Sequence, residues 1–337
     1  MRIAVTGGTG YLGAHTVRAL LTEGHEVRLL LAPGDTGGAV LDQLRLLGPV
    51  TVVSGDIRAE SAITELLSGA DALLHAAGIV GTSERQAQAM WEINAYATEK
   101  ILSRAVEAGL DPVVSVSSYS ALYPPPNGVI SADSPTASGR SAYAKTKGYA
   151  DRVARRLQAD GAPVVVTYPS SVVGPAFHTA AGVTERGWAP IMRYAVAPSV
   201  RGGMQMIDVR DVADVHTRIM SKGRGPHRYV CGGVLLTFDQ MIDALQDGLG
   251  RPVRRIPLHP SVLRGLGRVA DIAGRLVPLT DGLSYEAAML LTSATPTDDR
   301  STQEDLGITW RDPRAAIIAS VRGQTAGSGE QRSDPLP

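Results

Sequence analysis

Three glycines, Gly7, Gly10 and Gly13, stand three residues apart directly after the apolar run Ile3-Ala4-Val5-Thr6. A run of that kind reads as a buried strand, and the stretch from Tyr11 to Glu23 carries the periodicity of a helix. Glycines at a strand-to-helix turn free it from Cβ sterics and bare the helix N-terminal N–H groups to a diphosphate. They also let the helix pack closely on the strand. The spacing predicts a dinucleotide held across this turn by Gly7, Gly10, Tyr11, Leu12 and Gly13. A glycine-rich turn with no ligand is the plainer reading, but a strand before and a helix after is the setting the motif requires.

The alternation continues downstream. Short apolar runs at 27–31, 50–54, 72–75, 112–117 and 164–168 are separated by longer amphipathic stretches, among them 40–47, 61–67, 84–108 and 141–158. Such runs are buried on both faces, and the helices between them make parallel crossovers. The expected fold is α/β: a doubly wound parallel Rossmann sheet with a smaller C-terminal substrate-binding lobe. Residues 1–169 form the dinucleotide-binding core, to which 203–232 returns. Residues 170–202 and 233–322 form the lobe, and 323–337, without periodicity, reads as a disordered tail. A chain of 337 residues is long enough for both parts.

Composition removes several function classes. Lys and Arg number 33, as do Asp and Glu, so the basic excess of a nucleic-acid binder is missing. One cysteine, Cys231, excludes a disulfide framework and a thiolate zinc site. The seven histidines lack metal-ligand spacing, so no metal is expected. No run approaches the ~20 apolar residues of a bilayer span, and the start leaves no room for a signal-peptide apolar region. The expected setting is the cytoplasm. The expected partner is a small molecule, with neither a nucleic acid nor a membrane.

Tyr143 and Lys147, four residues apart, share one face of a helix; Lys145 falls on another. A phenol titrates near ~10, and a neighbouring ammonium favours the phenolate. The pair can therefore move a proton on a substrate oxygen, and Lys147 can also hold ribose hydroxyls. Ser117 and Ser118 end the run at 113–116, where parallel strands open on a ligand crevice. Ser118 is expected to face the nicotinamide and Ser117 to turn inward. Asp35 lies just past the second strand, within reach of a ribose or as a plain loop residue. Asp56, with Ile57, lies past the third strand, against adenine or as a helix N-cap. NAD and NADP both stay open.

These motifs in this order resemble an extended short-chain dehydrogenase/reductase, of the NAD-dependent epimerase/dehydratase kind. The resemblance rests on 6–13, Asp56-Ile57, His75-Ala76-Ala77-Gly78, Asn94 with Ala97-Thr98, Ser117-Ser118, Tyr143 with Lys147, 168–175, and Ile207-Asp208-Val209-Arg210-Asp211-Val212-Ala213. It implies catalysis by Ser118, Tyr143 and Lys147, with Asn94 ordering the site. It adds Ala76, Ala77, Gly78, Pro169, Ser170 and Ser171 to the cofactor contacts; Asp208 and Asp211 read as helix caps. The stretch Tyr168-Pro169-Ser170-Ser171-Val172-Val173-Gly174-Pro175 is nearest the dihydroflavonol-reductase-like and 3β-hydroxysteroid-dehydrogenase-like members, although Tyr168 stands where they carry arginine. Tyr119-Ser120 replace the Asp-Glu pair of dehydratases. The implied activity is NAD(P)-dependent interconversion of a carbonyl and a secondary alcohol on a small apolar or aromatic substrate. A nucleotide-sugar epimerase using the same triad and a non-catalytic NAD(P) sensor are the alternatives. Tyr119, Tyr123, Met192 and Met204, with Tyr194 and Met206, are the pocket-wall candidates, core packing being the alternative. In relatives the helices at 84–108 and 141–158 pair across a two-fold axis. A homodimer through Ile93, Ile101, Leu102, Val153 and Leu157 competes with burial of those residues in the monomer.

Overall fold

A computed structural model describes residues 1–81, 84–273 and 285–330. Seven parallel strands form the main sheet, in the order His227–Cys231, Val164–Pro169, Val113–Val116, Ala72–His75, Arg2–Thr6, Glu26–Leu31 and Val50–Ser54. The first strand pairs with both the second and the fourth, Thr6 lying beside Leu30 on one side and His75 on the other. Strand order therefore reverses between Arg2–Thr6 and Ala72–His75, and the crevice of a doubly wound sheet opens at the carboxyl ends there. The sheet is covered on both faces, which is why its central strands are apolar without alternation.

A second sheet joins Ser171–Val173, Gly203–Asp208 and Val234–Thr237, with Gly203–Asp208 in the middle. The returning segment is thus divided. Gly203–Asp208 belongs to the lobe's sheet, while His227–Cys231 completes the main sheet. Helices Phe238–Leu249 and Pro313–Glu330 pack together behind the small sheet. The last helix runs through 323–330, which corrects the expected tail over those residues. Gln324 and Thr325 bond back to Ser320 and Val321 one turn earlier, and no proline interrupts the helix before Glu330. Residues 331–337 of that tail lie outside the described residues.

The stretch at 84–108 is not one uniform helix. Glu84–Gln86 is a 3-10 turn, Ala87–Met90 is α-helical, Trp91–Ala97 is a π-helix, and Thr98–Glu107 is α-helical again. Ile101 and Leu102 of this stretch, and Val153 of helix Ala142–Ala159, are buried in the monomer core. Ile93 and Leu157 are half-buried. Packing within the monomer has claimed three of the five side chains expected at a dimer contact. What these helices turn outward instead is Trp91, Tyr96 and Tyr149, whose ring centroids lie 5.8 to 5.9 Å apart.

Two histidines are fully buried, each between two threonine hydroxyls. His75 lies 2.7 Å from Thr6 Oγ1 and 2.8 Å from Thr98 Oγ1. His216 lies 2.9 Å from Thr16 Oγ1 and 3.0 Å from Thr167 Oγ1. Burial pushes both rings down to about 3, the Lys147 charge adding to the effect at His75. A depressed histidine binds fewer protons folded than unfolded. Stability therefore falls as pH drops below the unfolded value near ~6.5, by about 1.4 kcal/mol per pH unit for each ring until about pH 3. Urea unfolding at pH 7 and pH 5 should show the lower midpoint at pH 5. His216→Gln should flatten that dependence; an unchanged slope would mean that this ring takes its proton in the folded state.

Candidate active site and cofactor cleft

The glycine turn has the close approaches its spacing implies. Gly7 adopts a φ of 72°, and a Cβ there would meet the Ala76–Ala77 backbone at 2.6 to 2.7 Å. A Cβ on Gly13 would stand 2.0 Å from the Gly7 carbonyl oxygen, so helix Tyr11–Thr22 packs against its own turn. Gly10 differs: its Cβ would meet only that same oxygen, at 3.3 Å. Space beside Gly10 is therefore open, and a cleft of about 480 Å³ lies there. Gly10, Tyr11 and residues 35–40, a loop and the first turn of helix Gly38–Arg45, line one side, and His178–Ala181 with Arg186 the other. Leu12 packs into the core beneath.

The segment 174–187 is fastened to the helix that follows the glycine turn. The Tyr11 hydroxyl lies 2.6 Å from Glu185 Oε1 and 2.8 Å from the Gly174 carbonyl oxygen. The Gly174 N–H also donates to Glu185 Oε1 at 2.9 Å. Burial is the main cause raising both the Tyr11 phenol and the Glu185 carboxyl. His15 Nε2 meets the Pro175 carbonyl at 2.8 Å, and the Arg18 guanidinium lies 5.2 Å over the Phe177 ring. Sequence reasoning found Tyr11 but missed Glu185 and Arg186, which sit in an aperiodic segment more than 170 residues from the turn they face.

At the carboxyl ends of the central strands, the predicted triad comes together. Ser141 caps helix Ala142–Ala159, accepting from the Ala144 N–H at 3.1 Å, and this aims Tyr143 and Lys147 at the crevice. The Tyr143 phenol stands beside the hydroxyls of Ser118 and Ser120, which act to lower it, and the Ser120 hydroxyl donates to Ser118 Oγ at 3.0 Å. Ser118 Oγ also accepts from the Ser120 N–H at 3.2 Å, which fixes its orientation at the end of the fifth strand. Lys147 is buried and donates to the Val116 carbonyl at 3.2 Å. An ammonium carries three donors, so two remain. Lys145 points to solvent.

The expected depression of the Tyr143 phenol by Lys147 is not seen. Burial raises Tyr143, with the two serine hydroxyls opposing, and Lys147 is not among the causes. Lys147 is itself pushed down to about 8 by burial.

Asn94, on the π-helix, is buried and uses its amide on one peptide unit. Its Oδ1 accepts from the Ile79 N–H at 2.7 Å, and its Nδ2 donates to the Ile79 carbonyl at 2.8 Å. Both polar atoms of the Asn94 amide are thus engaged by the Ile79 peptide. A Cβ on Gly78 would meet Asn94 Oδ1 at 3.2 Å and Lys147 Nζ at 3.7 Å, so the segment Ala76-Ala77-Gly78 lies between them. The Ala77 N–H donates to Thr6 Oγ1 at 3.2 Å.

The remaining candidates divide. Asp56 is gripped by Arg58 through both carboxylate oxygens, which holds it down to about 2; Ile57 packs on the core beside it. Asp35 Oδ1 accepts from the Gly37 N–H at 2.8 Å at the edge of the cleft. Pro169 ends its strand, and Ser170 Oγ donates to the Gly232 carbonyl at 2.8 Å. Tyr119 is buried, its hydroxyl 3.4 Å from Ser171 Oγ, and burial pushes its phenol up to about 12. Tyr123 reaches Ser293 at 3.1 Å. Met192 and Met204 pack on the lobe's own core, Met206 is wholly inside it, and Tyr194 faces solvent. Met206 is therefore core rather than pocket wall. Tyr168 turns into the main core, bonded to Asp151 beside Arg155, so its departure from the arginine pattern leaves the crevice untouched. Asp208 caps helix Val209–Arg218, and Asp211 pairs with Arg311.

Comparison with known proteins agrees with this geometry. The profile of the NAD dependent epimerase/dehydratase family matches residues 3–232. "Sterol demethylase protein B" of Methylococcus capsulatus is 28% identical over 326 residues, 95% of this chain and 97% of that protein. A "putative dihydroflavonol 4-reductase" of Synechocystis is 29% identical over 335 residues, 94% and 92%. Among solved structures, a dTDP-glucose 4,6-dehydratase from Streptomyces venezuelae with NAD bound superposes with a TM-score of 0.75 at 24% identity, covering 98% of each chain. Glycine turn, ordered serine–tyrosine–lysine site and matched profile converge on one conclusion: the chain belongs to the NAD-dependent epimerase/dehydratase family, an enzyme of the extended short-chain dehydrogenase/reductase type.

Proposed function

We propose that this oxidoreductase reduces a carbonyl, or oxidises the matching secondary alcohol, on a small apolar substrate with NAD as the exchanging cofactor. The observation that carries the reading is the placing of the Tyr143 phenol beside the hydroxyls of Ser118 and Ser120, themselves bonded at 3.0 Å, at the strand end. The bound nicotinamide supplies or accepts the hydride. Tyr143 moves the proton at the substrate oxygen, and its raised phenol keeps that proton available for donation, which suits reduction. Ser118 hydrogen-bonds the same oxygen. Lys147 holds the cofactor ribose through its two remaining N–H donors. The glycine turn cradles the diphosphate, and Arg186 brings a guanidinium to it from the far wall of the cleft.

Asp35 lies in that cleft, and its carboxylate repels a 2′-phosphate while accepting from a ribose hydroxyl. This supports NAD over NADP. Fluorescence titration should give the tighter binding for NADH, and tighter binding of NADPH would reverse the choice. Tyr119-Ser120 in place of an acidic pair favours reduction over dehydration. An epimerase regenerates its cofactor in place, whereas a reductase consumes one NADH per product. Aromatic ketones, ketosteroids and UDP-glucose, each incubated with the enzyme and NADH, should give stoichiometric loss of absorbance only with the ketones. Epimer formation from the sugar without carbonyl turnover would select the epimerase instead.

The outward trio Trp91, Tyr96 and Tyr149 supports a homodimer through the two long helices. Sedimentation velocity should give a species of twice the 35.4 kDa chain mass, lost in Tyr96→Glu. A chain-mass species at micromolar concentration would make the protein a monomer.

A further inference from the structure

Several of the large apolar side chains that the structure leaves in solvent gather on one part of the lobe. Val262, Leu266 and Val269 are 47, 48 and 62 % exposed on helix Pro260–Ala273. Their spacing of four and three sets them in one stripe along a helix face. The same helix buries Leu263 against Val200 and Ala288, so its inward packing is already satisfied by another face. Ile256, 49 % exposed, lies on strand Arg254–Leu258, which leads into this helix. Tyr194, 65 % exposed, precedes the strand Val196–Val200 that pairs with it. Among the described residues, nothing buries this stripe.

Charge identifies what covers it. Residues 251–273, through the end of this helix, contain Arg251, Arg254, Arg255, Arg264 and Arg268 against a single acidic residue, Asp271, in a chain of zero net charge. Arg255 is committed to Asp239 and Asp243 on the neighbouring helix. Among the described residues no carboxylate pairs with Arg251, Arg254 or Arg268. Arg268 instead lies 4.5 Å over the Tyr285 ring, and Arg193 lies 5.3 Å over Tyr194. Apolar side chains flanked by arginines and an interfacial tyrosine suit a boundary that is apolar inside and anionic at its rim. A second copy of the chain would bring these arginines against one another, which like-charge repulsion opposes.

We propose that this face seats the protein on a lipid surface bearing anionic headgroups, lying on it rather than crossing it. No helix among the described residues is long and apolar enough to cross a membrane. The expectation of no membrane partner rested on the missing span, and surface contact is a separate case.

Vesicle flotation of the full chain tests the proposal, using phosphatidylcholine alone and phosphatidylcholine mixed with phosphatidylglycerol. The protein should float with the anionic vesicles at least ~10-fold more than with the neutral ones, and release as salt shortens the Debye length. Leu266→Glu should abolish flotation, and the double variant Arg254→Gln/Arg268→Gln should weaken it several-fold. Both should keep the parent melting temperature and turnover of a water-soluble ketone. No flotation with either vesicle, equal flotation with both, or flotation unaffected by Leu266→Glu would each overturn it. So would self-association that Leu266→Glu abolishes without any vesicle binding, which would assign the face to a second copy.

Discussion

Replacing Tyr143 by phenylalanine should lower kcat by ~10²–10⁴, the contribution of a positioned proton donor, while cofactor affinity stays within about two-fold. The ring keeps its place on the capped helix Ala142–Ala159, and only the hydroxyl beside Ser118 and Ser120 is lost. Ser118→Ala should fall between wild type and Tyr143→Phe, because the phenol can still protonate the oxygen. Lys147→Ala should cut kcat and raise the cofactor KM together, since the ribose loses its buried donor. Lys145→Ala should change neither, its side chain being in solvent. Steady-state kinetics on the four variants, with circular dichroism to verify folding, reads the order. Near-normal turnover in Tyr143→Phe, or equal damage from the two lysine changes, would remove this helix from the chemistry.

Two glycines of one motif should fail in opposite ways. Gly13→Val drives a Cβ to 2.0 Å from the Gly7 carbonyl oxygen, so the turn must open and both stability and NADH binding fall. Overpacking of this kind costs about 1–3 kcal/mol or more. Gly10→Val meets the chain only at 3.3 Å, so the fold should hold while the side chain fills the space the diphosphate needs. Thermal melts and NADH titration of both variants separate the two roles. A Gly10→Val protein that binds NADH as wild type does would show that the diphosphate does not pass beside this residue.

The glycine turn, the parallel sheet and the serine–tyrosine–lysine set were legible because each is written in short-range spacing. Gly7, Gly10 and Gly13 act within one turn, and Tyr143 and Lys147 within one helical turn. Their convergence on Ser118 follows from parallel strands ending at one edge. What was hidden depends on partners far away in sequence. Glu185 has no local signal, and its burial makes sense only once Tyr11 and Gly174 are beside it. Apolar residues on the long helices could not be divided between core and contact surface by periodicity, and Ile101, Leu102 and Val153 went to the core. Lys147 sits four residues from Tyr143, yet the Val116 carbonyl takes its hydrogen bond, and spacing along a helix cannot reveal a competing acceptor on a strand.

The π-helical turn Trp91–Ala97 has a consequence for how the gene can change. A π-turn holds more residues per revolution than an α-turn, so removing one residue lets the segment relax to ordinary α-helix. Because the π-turn already absorbs the extra residue, the helices on either side would keep nearly their facing, and the side chains within the turn would be redistributed. Asn94 would leave the Ile79 peptide, even though no residue that touches it had been altered. This stretch should therefore accept many substitutions on its outer face and very few single-residue deletions: at this point the chain is constrained by length more than by letter.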